Sequence, residues 1–361
     1  MRVGLLGCGN VSPQYAIGLG LFPGVELVAC ADLDGPRAEA LAAQHGIAAL
    51  SPDELIGGDA VDILVNISPG MAHVEVSSAA LAAGKHVYSE KPLAVDVAGG
   101  TLLLERSRAA GLRLGCAPDT FLGSQLQTAR RLLDAGAIGT PVAAHATMIG
   151  GGHERWHPNP AIFYTPAGGP MLDMGPYYVT ALLSFFGPAR RVAASTSARL
   201  PERVVGSGPL EGQKISVEMP THYAGVVDYA GGPTATFIVS FDIRHGRTGI
   251  EIFGTEGSLA IPDPNVFDAP VVRRTRVGTE LREETMPVEH VTGAARGIGV
   301  ADLADAIRTN RPHRASAEQA LHALETMTAF QRSSDSGAHV TLETTCERPE
   351  PLPTATEEVL F

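Results

Sequence analysis

The first third of the chain repeats one unit: a short apolar run of strand length, a turn rich in glycine or proline, then a helical stretch. Val3 to Leu6 leads into Gly7-Cys8-Gly9-Asn10-Val11-Ser12 and a helix from about Pro13 to Leu21. Val25 to Ala31 ends at Asp32, ahead of a helix around Pro36 to Gln44. Val61 to Ile67 ends in Ser68-Pro69-Gly70, ahead of a helix from near His73 to Ala83. Lys85 to Tyr88 runs into Ser89-Glu90-Lys91-Pro92; a helix from about Val95 to Ala110 and the strand Leu112 to Cys116 follow. Strands that alternate with helices pair as parallel neighbours through crossovers, so this stretch predicts a doubly wound α/β sheet. Ligands bind such sheets outside the carboxyl ends of the strands, so the residues just after each strand are the candidates for function.

After the first strand the pattern is Gly-x-Gly-x-x-Ser. Gly7 permits a tight turn, Gly9 lets a pyrophosphate approach the backbone, and Ser12 is small enough for close helix–strand packing. The free amides of Asn10, Val11 and the following helix N-terminus would face phosphates. A lone Gly-x-Gly is equally a plain strand–helix turn; a strand before and a helix after are the context that favours a dinucleotide. Asp32, at the end of the second strand, stands where an acid can accept both hydroxyls of an adenosine ribose and repel a 2′-phosphate. That predicts NAD rather than NADP, although Asp32 could also serve the next helix as a cap, for which Asp34 is better placed.

Lys91 is held out of the α region by Pro92 at a strand's carboxyl end. Beside Glu90 it can bind, donate protons or shift its pKa; as a solvated surface ion pair it would contribute almost nothing.

From Pro141 the pattern changes. Val142 to Ile149 and Arg191 to Ser197 are strand-like. Thr221 to Tyr229 with Thr234 to Asp242, and Ile250 to Phe253 with Ser258 to Ile261, read as hairpins. Hairpin-linked strands are antiparallel. With one helix inside the segment, one face of that sheet is left for a subunit interface. Helices are expected from about Val300 to Thr309 and from Ser316, and a loosely ordered Pro-, Thr- and Glu-rich tail after Cys346. The domains expected are 1–120, binding the dinucleotide, and 121–340, binding substrate and a second copy, with 341–361 as the tail.

The 361 residues are too many for one typical domain. Twenty-seven basic against 39 acidic residues, a net charge of −12, argue against a nucleic-acid surface. Cys8, Cys30, Cys116 and Cys346 form no Cys-x-x-Cys pair, so neither a zinc ribbon nor a redox dithiol is indicated. With Met1-Arg2 running straight into a strand and no apolar run near the ~20 residues of a membrane span, a cytoplasmic protein is expected.

Gly168-Gly169-Pro170-Met171-Leu172-Asp173-Met174-Gly175-Pro176-Tyr177-Tyr178 introduces a helix running to about Phe186. Asp173 and Tyr177 are four apart and face the same way if the turn is helical. An acid and a phenol in one cleft could bind a hydroxyl and handle its proton; alternatively the acid sits at a helix start and the phenol in the core. The preceding loop, His153-Glu154-Arg155-Trp156-His157-Pro158-Asn159-Pro160, carries the only tryptophan, and Trp156 and His157 suit a sugar site. His153 and His157 have metal-like spacing, but Pro158 and Pro160 interrupt a continuing helix and no metal is expected.

Gly84-Lys85-His86-Val87-Tyr88-Ser89-Glu90-Lys91-Pro92-Leu93-Ala94, taken with the glycine loop and Asp173-x-Gly175-x-Tyr177, resembles the glucose–fructose oxidoreductase / inositol dehydrogenase / rhizopine catabolism (Gfo/Idh/MocA) family. The resemblance implies a Rossmann domain followed by an α+β domain with an open, largely antiparallel sheet used for dimer or tetramer contacts. It implies cofactor contacts from Glu90 and Lys91, and from Asn66, Ser68 and His73, whose stretch stands in place of the family's Thr-Pro-Pro turn and histidine helix. It places the lysine between nicotinamide and substrate. The family pattern is Asp-x-Gly-x-His, so Tyr177 is a departure that resembles the tyrosine-bearing branches. An ordinary phenol titrates near 10 and needs help, such as the Lys91 ammonium, to act at neutral pH. The expected activity is NAD(P)-dependent oxidoreduction of a sugar, cyclitol or related polyol by Lys91, Asp173 and Tyr177. The rival expectations are NAD-assisted glycoside cleavage on the same scaffold and a non-catalytic cofactor-binding sensor.

Overall fold

Leu5, Ile63, Leu64, Val65 and Val87 are fully buried, although successive residues of a strand point to opposite faces. That happens where helices cover both sides of a parallel sheet. The sheet consists of β1 (Arg2–Leu6), β2 (Glu26–Ala31), β3 (Ala48–Leu50), β4 (Ile63–Asn66), β5 (His86–Ser89) and β6 (Leu114–Cys116). Its order is β3-β2-β1-β4-β5-β6, with every neighbouring pair parallel. The helices between the strands are α1 (Ser12–Leu19), α2 (Gly35–His45), α3 (Pro52–Gly57), α4 (His73–Ala82) and α5 (Val97–Ala109). The strand order reverses at β1, between β2 and β4, and a crevice opens at such a switch point.

The structure, a computed structural model, describes residues 1–287 and 295–353. The chain divides into two units: Met1–Ser124 with Glu289–Leu321 and Pro349–Phe361, and Gln125–Val288 with His322–Arg348.

The second unit contains α6 (Ser124–Asp134), β7 (Pro141–Ile149), α7 (Gly169–Asp173), α8 (Gly175–Phe186), β8 (Ala189–Ser197), β9 (Glu202–Val204), β10 (Lys214–Ser216), β11 (His222–Tyr229), β12 (Thr234–Ser240), β13 (Arg247–Gly254), β14 (Gly257–Ile261), β15 (Val272–Val277) and β16 (Glu280–Thr285). Then α9 (Ile298–Thr309) returns to the first unit, α10 (Ala317–Ser336) follows, and β17 (Val340–Thr341) closes the second. The large sheet runs β16-β15-β14-β13-β7-β12-β11-β8-β17. All its neighbours are antiparallel except β7 and β12, so the expected open sheet is mixed, and both expected hairpins, β11–β12 and β13–β14, lie in it. Every residue of α8 is buried, and Phe237 on β12 meets Phe330 on α10 edge to face at 5.6 Å. On the opposite face of the same strands Val226, Thr236 and Phe253 are exposed.

The stretch after Cys346 is more ordered than expected, as far as it is described. Asp302, fully buried on α9, pairs with Arg311 and Arg314. Arg314 also donates to the carbonyls of Glu350 and Pro351, and Leu352 is buried. The expectation of a loose tail overlooked these carbonyl acceptors, which no side-chain pattern displays. Among the described residues no helix is long and apolar enough to cross a membrane.

Candidate active site

In the first unit the turn after β1 is closed by Gly7 N–H donating to the Ala31 carbonyl at 2.8 Å. Gly7 has φ +108°, and a Cβ there would come within 2.6 Å of the Ile67 carbonyl oxygen, so glycine is required twice over. A Cβ on Gly9 would meet nothing within 4 Å: the space over that residue is open to a ligand. Ser12 Oγ turns back to the Gly9 carbonyl at 2.7 Å. Val11 occupies the cap position of α1 without a side-chain hydrogen bond, and the first turn carries no acid, so its electropositive end is not neutralised locally.

Asp32 closes the other side of this turn. Its carboxylate accepts from Cys8 N–H at 2.6 Å and from Asp34 N–H at 2.8 Å. Each oxygen is thereby aimed and keeps a lone pair for a further donor. Asp34, the better cap candidate in the sequence, sits at the cap position of α2 but makes no capping bond, and pairs instead with Arg37 at 3.0 Å. An open glycine, a helix N-terminus without a capping side chain and an oriented acid fit a dinucleotide.

Asn66 and His73 lie inside the neighbouring loop rather than on its surface. Asn66 is fully buried; its Nδ2 donates to the His73 carbonyl and Ser77 Oγ, and its Oδ1 accepts from both the amide and the hydroxyl of Ser68. The His73 ring spans the Pro92 carbonyl at 2.7 Å and the Ser68 carbonyl at 2.8 Å. Burial pushes its pKa down, against the two carbonyls, which favour the cation.

Glu90 and Lys91 follow β5, as expected. Glu90 is buried, and Tyr15 Oη on α1 donates to its Oε1 at 2.9 Å. Its Oε2 accepts the Lys91 amide at 2.9 Å, and Arg296 lies 3.9 Å from Oε1. Tyr15 is held protonated by burial and by the Glu90 charge, so it remains a donor. The Lys91–Pro92 peptide is cis. Nearby, buried Asp119 accepts from the amides of Gly297 and Gly299 at the start of α9. Burial raises its pKa to about 6 against the opposing pull of Arg296 and the two amides. Sequence reasoning assigns Asp119 no role.

In the second unit the acid and the phenol straddle a break. Asp173 ends α7 and Tyr177 is in the first turn of α8. Pro176 lacks an amide, and the turn closes with Tyr177 N–H donating to the Met174 carbonyl at 3.2 Å. Tyr177 is buried, whereas Asp173 keeps some exposure. Asp173 Oδ2 lies 2.7 Å from His153 Nε2. The His153 ring is surrounded by Phe163 at 4.2 Å, Phe241 at 4.7 Å and Trp156 at 5.0 Å between centroids. His157 packs edge-on to Trp156 and Phe163, and its pKa is lowered chiefly by burial. Trp156 remains exposed. Sequence reasoning noticed His153 only as half of a metal-like pair. Among the described residues no cluster of three metal-ligating side chains occurs.

A family model described as "Oxidoreductase family, NAD-binding Rossmann fold" matches residues 1–117, and one described as "GFO/IDH/MocA C-terminal domain" matches residues 126–260. A dTDP-3,4-didehydro-2,6-dideoxy-alpha-D-glucose 3-reductase from Streptomyces antibioticus is 30% identical over 283 residues, 77% of this chain and 79% of the relative. The chain belongs to the GFO/IDH/MocA family. As a member it is an NAD(P)-dependent oxidoreductase, and its N-terminal sheet is an NAD-binding Rossmann fold. A 1,5-anhydro-D-fructose reductase from Ensifer adhaerens is 27% identical over 350 residues, 95% of this chain and 99% of that one. A levoglucosan dehydrogenase solved with NADH and L-sorbose has a TM-score of 0.83 at 19% identity, covering 95% of this chain and 99% of its own, a likeness of fold.

Proposed function

We propose that this oxidoreductase passes a hydride between nicotinamide and the carbinol or carbonyl carbon of a sugar, cyclitol or related polyol, with NAD as cofactor. The observation that carries the substrate class is Asp173: an acceptor for hydroxyls set beside two imidazoles, Phe163 and the exposed Trp156. Carboxylates and aromatic faces are the groups that bind hydroxyl-rich rings, which are polar at the rim and apolar on the C–H face. The sugar names of the relatives point the same way.

The first unit holds the cofactor. Amides of the loop from Gly7 through Gly9, Asn10 and Val11 take the pyrophosphate, Asp32 takes the adenosine ribose, and Ser68 lies on the loop that Asn66 and His73 brace from within. Glu90 fixes the Lys91 backbone. When bound, the nicotinamide accepts or supplies the hydride. Lys91 and Asp173 orient the reacting oxygen of the substrate, and Tyr177 takes or returns its proton. Trp156 and His157 contact the substrate ring. A second copy binds through the outward face of the large sheet, around Val226, Thr236 and Phe253, giving a dimer or tetramer; light scattering at micromolar concentration checks this. The working compartment is the cytoplasm, where the free thiols of all four cysteines persist.

The test is incubation of purified protein with NAD and a panel containing inositol, D-xylose, 1,5-anhydroglucitol and a p-nitrophenyl glycoside, followed by NADH absorbance and nitrophenol release. Net NADH supports the reading. Cleavage of a glycoside without net NADH would replace it with NAD-assisted lysis, and cofactor binding without either reaction would leave a sensor.

A further inference from the structure

Asp173 is the last residue of α7 and stands one residue before the cap position of α8. His153 is a donor that meets it there. A carboxylate can only accept, so at 2.7 Å the His153 Nε2 carries the proton and donates it to Oδ2. The imidazole has little freedom to do otherwise. Phe163, Phe241 and Trp156 enclose its ring. Its backbone carbonyl accepts from the amides of Trp156 at 3.2 Å and His157 at 2.9 Å.

The next residue anchors the loop. Glu154 is buried, accepts from Tyr164 Oη and pairs with Arg203 on β9. Arg203 also pairs with Asp242, and the Glu154 carbonyl accepts the Gly206 amide at 2.8 Å. The β9–β10 ribbon thus fastens the loop from which His153 projects. This arrangement exceeds what is needed to fill a core: it delivers one polar atom, with one proton, to one oxygen of one acid.

We propose that His153 is a positioning residue for Asp173. By donating to Oδ2 it fixes the plane of the carboxylate that a substrate hydroxyl meets. This rests on the polyol reading of Asp173.

Two substitutions separate this from simple packing. His153→Phe keeps an aromatic ring among Phe163, Phe241 and Trp156 but has no donor. His153→Gln gives up the ring but can place an amide N–H close to the Nε2 position. The assay is steady-state turnover with NAD and the best polyol of the panel, with NAD affinity measured in parallel. His153→Phe is expected to lower kcat/KM by about 10–100-fold, the loss of a hydrogen bond to a charged group, with NAD affinity within about twofold. His153→Gln should recover most of it. Wild-type kcat/KM in His153→Phe, or a greater loss in Gln than in Phe, overturns the proposal while leaving the polyol reading intact.

A readout without turnover covers failure of that reading. In protein labelled with 15N-histidine, the His153 ring should show the Nε2–H tautomer, and Asp173→Leu should abolish that preference. His153→Gln identifies the signal. An Nδ1–H tautomer, or one indifferent to Asp173→Leu, overturns the pairing whether or not any polyol reacts. A wild-type protein that yields no NADH but shows the Nε2–H tautomer tied to Asp173 counts against the polyol reading and for His153 as the residue that positions Asp173.

Discussion

Asp32→Ala should collapse the preference for NAD over NADP. The carboxylate is held by two charge-assisted bonds from backbone amides, 2.6 Å from Cys8 and 2.8 Å from Asp34, so its direction does not depend on ligand. Two ribose hydroxyls donating to a charged acceptor contribute roughly 1.5–3 kcal/mol each when independent. Since the pair shares one carboxylate, a joint loss of about 2–4 kcal/mol is the sound figure, or roughly 30- to 1,000-fold in the Kd for NAD. In the natural protein a 2′-phosphate about 4 Å from the carboxylate would meet some 4 kcal/mol of repulsion per charge pair at an effective dielectric of about 20. Removing Asp32 relieves that, so NADP should bind more tightly as NAD binds less. Alanine also strips two amides of their acceptor and may not be compared with the natural protein until its Tm is known, so Asp32→Asn is the control: it removes the charge and keeps one accepting oxygen. Titration calorimetry with both cofactors gives the ratio. If both variants keep the natural ratio, or the natural protein prefers NADP, the assignment of Asp32 to the ribose is wrong.

Lys91→Met should reduce kcat by at least about 10²-fold while NAD affinity stays within a few fold, and near-normal kcat with weak NAD binding would make Lys91 a cofactor residue only. Tyr177→Phe should reduce kcat by about 10²–10⁴-fold with a smaller change in KM, and Tyr177→His should restore part of it with the pH profile moved toward neutrality; an unchanged Phe variant would make Tyr177 a packing residue. Asp119 binds its proton more tightly folded, with a pKa of about 6, than unfolded, near 3.9, so its contribution to stability is lost as pH rises between those values. Denaturant titrations of Asp119→Asn should show a flatter pH dependence between about pH 4 and pH 6, and an unaltered slope would refute the buried, proton-binding state.

Five strands of the doubly wound sheet were legible because they carry apolar residues in succession and end in recognisable turns; the edge strand β3, largely exposed, and the short helix α3 after it were not. Gly7 and Asp32 could be placed for the same reason: a positive φ and an acid after β2 leave few substitutes. The strands β15 and β16 escaped notice because Val-Arg-Arg-Thr-Arg-Val and Glu-Leu-Arg-Glu-Glu-Thr have no apolar face; Arg274 instead pairs across to Glu283 and Glu251. Sequence reading places Asn66 and His73 near a ligand but cannot tell the surface of a loop from its interior, and their bonds turn inward. His153 was the largest omission. Its acid lies 20 residues on, and the rings around it come from separate segments, so no local spacing announces the pair.

Direct hydride transfer is the step on which the proposed chemistry stands. A polyol from the panel that yields NADH should be prepared with deuterium on the carbinol carbon and turned over with NAD. One deuterium should appear at C4 of the nicotinamide for each NADH formed, and Lys91→Met should form almost none. Reduced cofactor free of deuterium, or consumption of the polyol with no reduced cofactor at all, would contradict it.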